Sequence, residues 1–243
     1  MPLIFGRNPV VEALRAGTTV EKIYLLDGVR PVGVIEEIGR RARSDKVIVQ
    51  YLDRRALDRI SDGGNHQGVI AEVGDFTYTE LEDLLVRAQE VGEKPLLLLL
   101  DSIQDPQNLG SLIRTAEAVG AHGVVLPRHR AASITPAVVK SSAGAIEHML
   151  VAQVTNLGKA IDTLKQQGVW VVGLDASGTK LYDEVTYTGP VAVVVGAEGS
   201  GLGRLISEKC DYLVKLPMRG KVESLNAAVA GSIVLYHAWR SRA

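Results

Sequence analysis

The chain has 243 residues, with 27 Lys and Arg against 28 Asp and Glu, a formal net charge of −1, and 46% hydrophobic and 23% charged residues. This balance belongs to a globular protein with a substantial core; it excludes a disordered chain and wholesale basicity, so any nucleic acid must be met by local patches. The single cysteine, Cys210, forms no internal disulfide, the longest apolar run (96–100) is too short to cross a bilayer, and no basic-then-apolar leader is read, which together predict a cytoplasmic protein with no membrane partner.

From the N-terminus, "NPVVEALRAG" predicts a helix capped by Asn8, with Pro9 at its first position and Gly17 past its end. "VEKIYLL" and "KVIVQYL" read as strands on either side of a helix over 31–43, and "GVIAEV" as a strand closing a small α/β domain, 1–73. Arg40, Arg41, Arg43, Lys46, Arg54, Arg55 and Arg59 cluster here; taken alone, such a cluster is a solvated helical face before it is a binding patch. Over 74–94, Thr79 and Glu82 have capping-box spacing and leucines recur at helical period before Gly92 and Pro95, predicting a helical linker.

From Pro95 strands and helices alternate: "LLLLLD", a helix over 109–119, "GVVL", a helix from Pro136, a helix near 157–167, "VWVVGLD", "VAVVVG", a short helix near 203–209, "YLVKL", and a long helix from about 224 with Ser224 as its cap. Apolar strands without polar alternation imply a largely parallel sheet covered on both faces, a second α/β domain over 95–243.

The loop "VVVGAEGSGLG" at 193–203 lacks the lysine and hydroxyl of a phosphate-binding P-loop. It also has Arg204 where the dinucleotide fingerprint needs its third glycine, and Glu198 would repel a pyrophosphate. The loop therefore reads as a backbone-lined pocket for a ligand that is neutral or cationic near Glu198, or as a turn with no ligand.

"NLGSLIRTA", "VVVGAEGSGL" and "LPMRGKVESLNAAVA", in this order at the ends of successive strands, resemble the three motifs of the SPOUT superfamily of RNA methyltransferases. The likeness is greatest to its TrmH/SpoU branch, among the RlmB-like enzymes that methylate a ribose 2′-oxygen of a guanosine in 23S ribosomal RNA. It covers 95–243; "FGRNPVVEAL" and "NHQGVIAEV" are weaker signatures of that branch's substrate-binding domain, related in fold to ribosomal protein L30e. The resemblance implies a C-terminal deep trefoil knot, a rarity among folds, S-adenosylmethionine as cofactor, and a homodimer in which two subunits form each active region. By position it implies cofactor contacts from Gly196, Leu216 and Leu225, with Gly201 and Ser224 beside them, and a catalytic set of Asn108, Arg114, Glu198 and Asn226.

Family proposals make the arginine of the first motif a general base, but guanidinium stays protonated and has no acceptor. Arg114 is instead expected to anchor the target phosphate and stabilise the developing alkoxide, with Asn108 orienting it and Glu198 or Asn226 positioning neighbouring groups. Arg40, Arg41, Arg54 and Arg55 in the RNA-binding domain, and Arg128 and Arg130 of "PRHRAAS", are expected on RNA backbone. Lys140, Ser142 and Glu147 are second candidates near the dimer and RNA surface. The five histidines have no metal-ligand spacing, so no metal is expected. Transfer RNA as the substrate remains open, as does a non-catalytic RNA-binding or ribosome-assembly protein with the same fold; the loop disfavours an NAD-dependent oxidoreductase.

Overall fold

The computed structural model describes residues 2–74, 76–222 and 224–242. In chain order the elements are β1 (Leu3–Phe5), α1 (Arg7–Arg15), β2 (Val20–Leu26), α2 (Val34–Ser44), β3 (Ile48–Leu52), α3 (Arg54–Ile60), β4 (Val69–Val73), α4 (Leu81–Glu90), β5 (Leu96–Asp101), α5 (Pro106–Ala118) and β6 (Gly123–Pro127). Then come α6 (Pro136–Ser141), a 3-10 turn (Ala145–His148), β7 (Val151–Val154), α7 (Leu157–Gln166), β8 (Trp170–Leu174), β9 (Lys180–Leu181), β10 (Val191–Gly196), α8 (Arg204–Ser207), β11 (Tyr212–Lys215) and α9 (Ala227–Arg240). Contacts divide the chain into two units: residues up to 77 with 134–148, and 78–133 with those from 149 on. Among the described residues no helix is long and apolar enough to cross a membrane.

The first unit is built on a four-stranded sheet ordered β1-β4-β2-β3, with β4 antiparallel to both neighbours and β3 parallel to β2. Helix α1 starts at Arg7 rather than after Asn8: Gly6, at φ +100°, makes the turn into the helix, and Pro9 falls within the first turn, where its missing N–H costs nothing. The segment with α6, read from sequence as part of the second domain, belongs to this unit. There Ser142 is fully buried and donates to the Val139 carbonyl (3.0 Å), while Glu147 accepts from Thr18 and burial pushes its carboxyl pKa up. Ser142 is thus packed inside the unit, Glu147 is half-buried against Thr18, and Lys140 is exposed.

In the second unit all strand pairs are parallel, in a seven-stranded sheet ordered β7-β6-β5-β10-β8-β11-β9. Central β5 and β10 are buried at every residue, as runs of Leu and Val without alternation require of strands covered on both faces. The segment expected as a linker carries α4, whose Leu81, Leu84 and Ala88 are buried; Leu81 and Leu84 join this unit's core. Its box falls one residue later than the Thr79–Glu82 spacing suggests, with Asp83 accepting from the Glu80 N–H (3.0 Å). Helix α5 begins at Pro106 because Asp105 accepts from the N–H groups of Gln107 (3.2 Å) and Asn108 (3.1 Å).

Helix α9 lies against α5 and β10 across Gly231, where a Cβ would stand 2.7 Å from Leu112 Cδ2 and 2.9 Å from Val195 Cγ2. Gly231→Ala is therefore expected to cost about 1–3 kcal/mol by overpacking. The check is urea unfolding: the midpoint should fall with the slope unchanged.

Candidate active site

Because the strands of the second unit run parallel, the loops after β5, β6, β8, β10 and β11 collect at one edge of the sheet, where ligands of α/β folds bind. Loops after β8, β10 and β11, with the start of α9, enclose a cavity of ≈ 320 Å³ there. Gly196, Gly201, Leu216, Ser224 and Leu225 all line it. The lining also carries two carboxylates, Asp175 and Glu198, and one ammonium, Lys215.

The loop after β10 folds back on itself: Ala197 and Gly201 form an antiparallel bridge, and Gly201, at φ +66°, donates to the Ala197 carbonyl (3.0 Å). A Cβ on Gly196 would lie 2.2 Å from the Gly201 oxygen and 2.3 Å from its carbonyl carbon, so no side chain fits there. Two carboxylates hold the returning strand of the loop. Asp101 at the end of β5 accepts from the Gly203 N–H (2.7 Å), and Asp175 after β8 accepts from the Leu202 N–H (3.2 Å).

Burial alone would raise the Asp175 pKa. Hydrogen bonds from Ser177 Oγ (2.6 Å), Ser177 N–H (2.9 Å) and Leu202 N–H outweigh it and hold the carboxyl below its ordinary value. Sequence reasoning passed over both aspartates. Their signal is an Asp closing or following an apolar strand next to small residues, "DS" at 101–102 and "DAS" at 175–177.

At the mouth of this loop three of the four expected catalytic residues meet. Asn226 caps α9, its Oδ1 accepting from Ala228 N–H (2.9 Å) and Val229 N–H (3.2 Å). That fixes the amide orientation, so Nδ2 turns the other way and donates to Asn108 Oδ1 (2.9 Å) and Glu198 Oε2 (3.0 Å). Asn108 Nδ2 donates to the same Glu198 oxygen (3.3 Å). Asn226, not Ser224, is thus the helix cap, and Ser224 is left exposed on the cavity wall.

Arg114 does not join the cluster: six residues further along α5, it lies about 9 Å along the axis from Asn108 and roughly 120° around it. It is exposed, with no hydrogen bond or ion pair among the described residues. Cys210 packs against Gly173 of β8; burial, followed by Asp211, pushes its thiol up to about 12, and it donates to the Ile206 carbonyl (3.3 Å).

Arg128 and Arg130 follow β6 at the same sheet edge and are exposed. In the first unit Arg40, Arg54 and Arg55 are exposed with no partner among the described residues. Arg41 instead pairs with Glu37 (2.9 Å), which Arg15 also holds (2.6 Å).

The SpoU rRNA methylase family model matches residues 95–236, and a model described as RNA 2′-O ribose methyltransferase substrate binding matches 3–79. The chain belongs to the SpoU methylase family. A putative TrmH family tRNA/rRNA methyltransferase, YacO, of Bacillus subtilis is 44% identical over 98% of this chain and 95% of that protein. The SpoU methyltransferase AviRb from Streptomyces viridochromogenes, solved in complex with AdoMet, superposes with a TM-score of 0.82 at 27% identity, covering 99% of this chain and 90% of that one. An AdoMet-bound rRNA methyltransferase from Sinorhizobium meliloti gives a TM-score of 0.80 at 26% identity, covering 98% and 86%. This SpoU protein is accordingly an RNA methyltransferase, and its second unit has the SPOUT knotted fold.

In a SpoU enzyme with this cluster, one amide serves both helix and site. Asn226→Ala is expected to lose about 1 kcal/mol of stability and also activity. Asn226→Ser keeps a capping oxygen but not the two donors, so it should melt close to wild type while methyl transfer falls roughly 10- to 100-fold. Thermal melting beside initial rates separates the two effects.

Proposed function

We propose that this enzyme methylates the ribose 2′-hydroxyl of a guanosine in 23S ribosomal RNA, with S-adenosylmethionine as donor, working as a cytoplasmic homodimer. The observation that carries the reading is the Asn108–Glu198–Asn226 cluster placed beside a cavity of ≈ 320 Å³ walled by the glycine loop. The cavity suits this cofactor: the Gly196–Gly201 contact leaves main chain rather than side chain against a ligand, Leu216 and Leu225 offer an apolar wall, and Asp175 and Glu198 favour a cation. When bound, S-adenosylmethionine supplies an activated methyl group on a sulfonium.

The chain's own residues have three tasks. The ribose oxygen must be held in line, and Arg114, with its planar fork of donors, is the group for the target phosphate. The hydroxyl proton needs an acceptor, which a guanidinium does not offer. Glu198 does: Oε2 takes both amides while Oε1 has no partner among the described residues. Asn108 and Asn226 keep that carboxylate in place.

A homodimer is supported by α9, where Val229, Ile233, Tyr236 and Trp239 are 49%, 38%, 49% and 42% exposed. They recur at helical spacing, an apolar stripe that a monomer would leave in water. With Arg114 outside its own chain's cluster, the arrangement fits an arginine that serves the partner's site. Ribosomal RNA is supported by the two-unit layout shared with the Sinorhizobium enzyme and by the family description. Transfer RNA stays the second reading, since the Bacillus relative's name covers both.

Mapping 2′-O-methyl groups in ribosomal and transfer RNA from cells with and without the protein tests the substrate: a methyl missing from one 23S guanosine supports the proposal, and one missing only from transfer RNA overturns it. For the shared site, Arg114→Ala and Glu198→Ala proteins should each be inactive, yet recover about a quarter of wild-type activity when mixed as subunits, because half the dimers are mixed and each has one intact site. No recovery would place Arg114 in its own chain's site.

A further inference from the structure

The two signatures that the catalytic unit leaves unused, "FGRNP" and "NHQG", meet in the first unit. The Arg7 N–H donates to Gln67 Oε1 (3.4 Å), and Arg7 Nε donates to the Gln67 carbonyl (3.2 Å). Beside this contact opens a cleft of ≈ 560 Å³, between the loop over 63–68, the end of β2 and the start of α3. That volume lies in the range of small-ligand sites.

The floor of the cleft is locked. His66, its side chain 9% exposed, accepts at Nδ1 from the Gly68 N–H (3.0 Å), so the proton sits on Nε2 and is donated to Asp58 Oδ1 (3.0 Å). Asp58, the carboxylate lining the cleft, thus has one of its two oxygens engaged by the imidazole N–H. Gln67 stands at φ +50°, a conformation uncommon for a residue with a side chain and one that a loop keeps only where its surroundings enforce it.

The rim is the opposite. The terminal nitrogens of Arg7, the guanidinium of Arg54 and the amide of Asn65 have no partner among the described residues, and Leu26 and Val29 line the same cleft. Two guanidinium groups with free terminal nitrogens, an apolar wall and a free amide are what one splayed-out nucleotide needs: cations for the phosphate, a surface for the base, and an amide for its polar edge. A paired duplex keeps its bases stacked and does not offer them to such a cleft.

We propose that this cleft takes one unpaired nucleotide of the RNA substrate, its phosphate on Arg7 and Arg54, its base against Leu26 and Val29, and its polar edge on Asn65. The proposal rests on the reading of the chain as an RNA methyltransferase. It makes the first unit a reader of loops or bulges.

The test uses the full-length protein and ribosomal RNA from cells lacking it, with filter binding and methyl transfer measured in parallel. Asn65→Ala should raise both the Kd and the KM for RNA about tenfold, leaving S-adenosylmethionine affinity, melting temperature and the salt dependence of RNA binding as in wild type. Arg54→Gln should weaken binding similarly and lower the slope of log K against log salt by about 0.7, the loss of one phosphate contact on a single strand. A hairpin with an unpaired loop should compete for the wild-type protein better than a perfect duplex of the same length. Wild-type Kd and KM in both variants, or equal competition by the duplex, would overturn the cleft while leaving the activity standing. RNA binding that depends on Asn65 with no methyl transfer to any RNA would instead overturn the methyltransferase reading alone.

Discussion

The site depends on one close approach, the backbone of Gly196 against that of Gly201. With a Cβ at 196 only 2.2 Å from the Gly201 oxygen, the loop closes only if residue 196 is glycine, and the closed loop forms the wall of the cavity. Backbone this tightly folded needs its N–H groups satisfied, and the donors at 202 and 203 are met by Asp175 and Asp101, from the ends of two other strands. The sheet therefore does more than carry the loop: β5, β8 and β10 must be in register for both carboxylates to reach it. This ties the hydrophobic core of the second unit directly to the geometry of the pocket.

The same economy appears at Asn226. An N-cap side chain accepts from the first free N–H groups of its helix, and most capping residues do nothing else. Asparagine is the cap whose other atom is a donor, and here that donor reaches Asn108 and Glu198. Serine or aspartate would cap α9 as well without offering these donors, so the choice of asparagine is explained by the site and not by the helix. Arg114 shows the complementary situation, a cation held on a buried-faced helix yet with no partner of its own among the described residues.

Much of this was legible because it is local. Leucine and valine runs without alternation have one stable solution, a strand covered on both faces, and β5 and β10 are just that. What escaped is long-range. "VAQV" at β7 is too short to announce itself, and α3 hides inside a run of charges. Between Ser224 and Asn226, both good caps, spacing offers no choice; the bonds to residues 108 and 198 decide it. That α6 belongs to the first unit is a matter of which core buries Val138 and Ile146, which chain order does not reveal. The motif residues around the cavity are recognisable as patterns, whereas the roles of Asp101 and Asp175 depend on N–H donors at 203 and 202, on a loop distant in sequence.

A chain of net charge −1 meeting a polyanion presents a last physical question, and the arginines answer it by segregation. Arg15 and Arg41 are held by Glu37, and Arg204 by Glu208 (2.8 Å). Arg40, Arg54, Arg55, Arg114, Arg128 and Arg130 have no such partner among the described residues. Paired cations contribute little to an external field, because each is matched within a few ångströms, while unpaired ones keep their full attraction for phosphate. Near-neutral overall charge is thus compatible with RNA binding: acidic residues neutralise some arginines at close range and leave others exposed and free to attract phosphate.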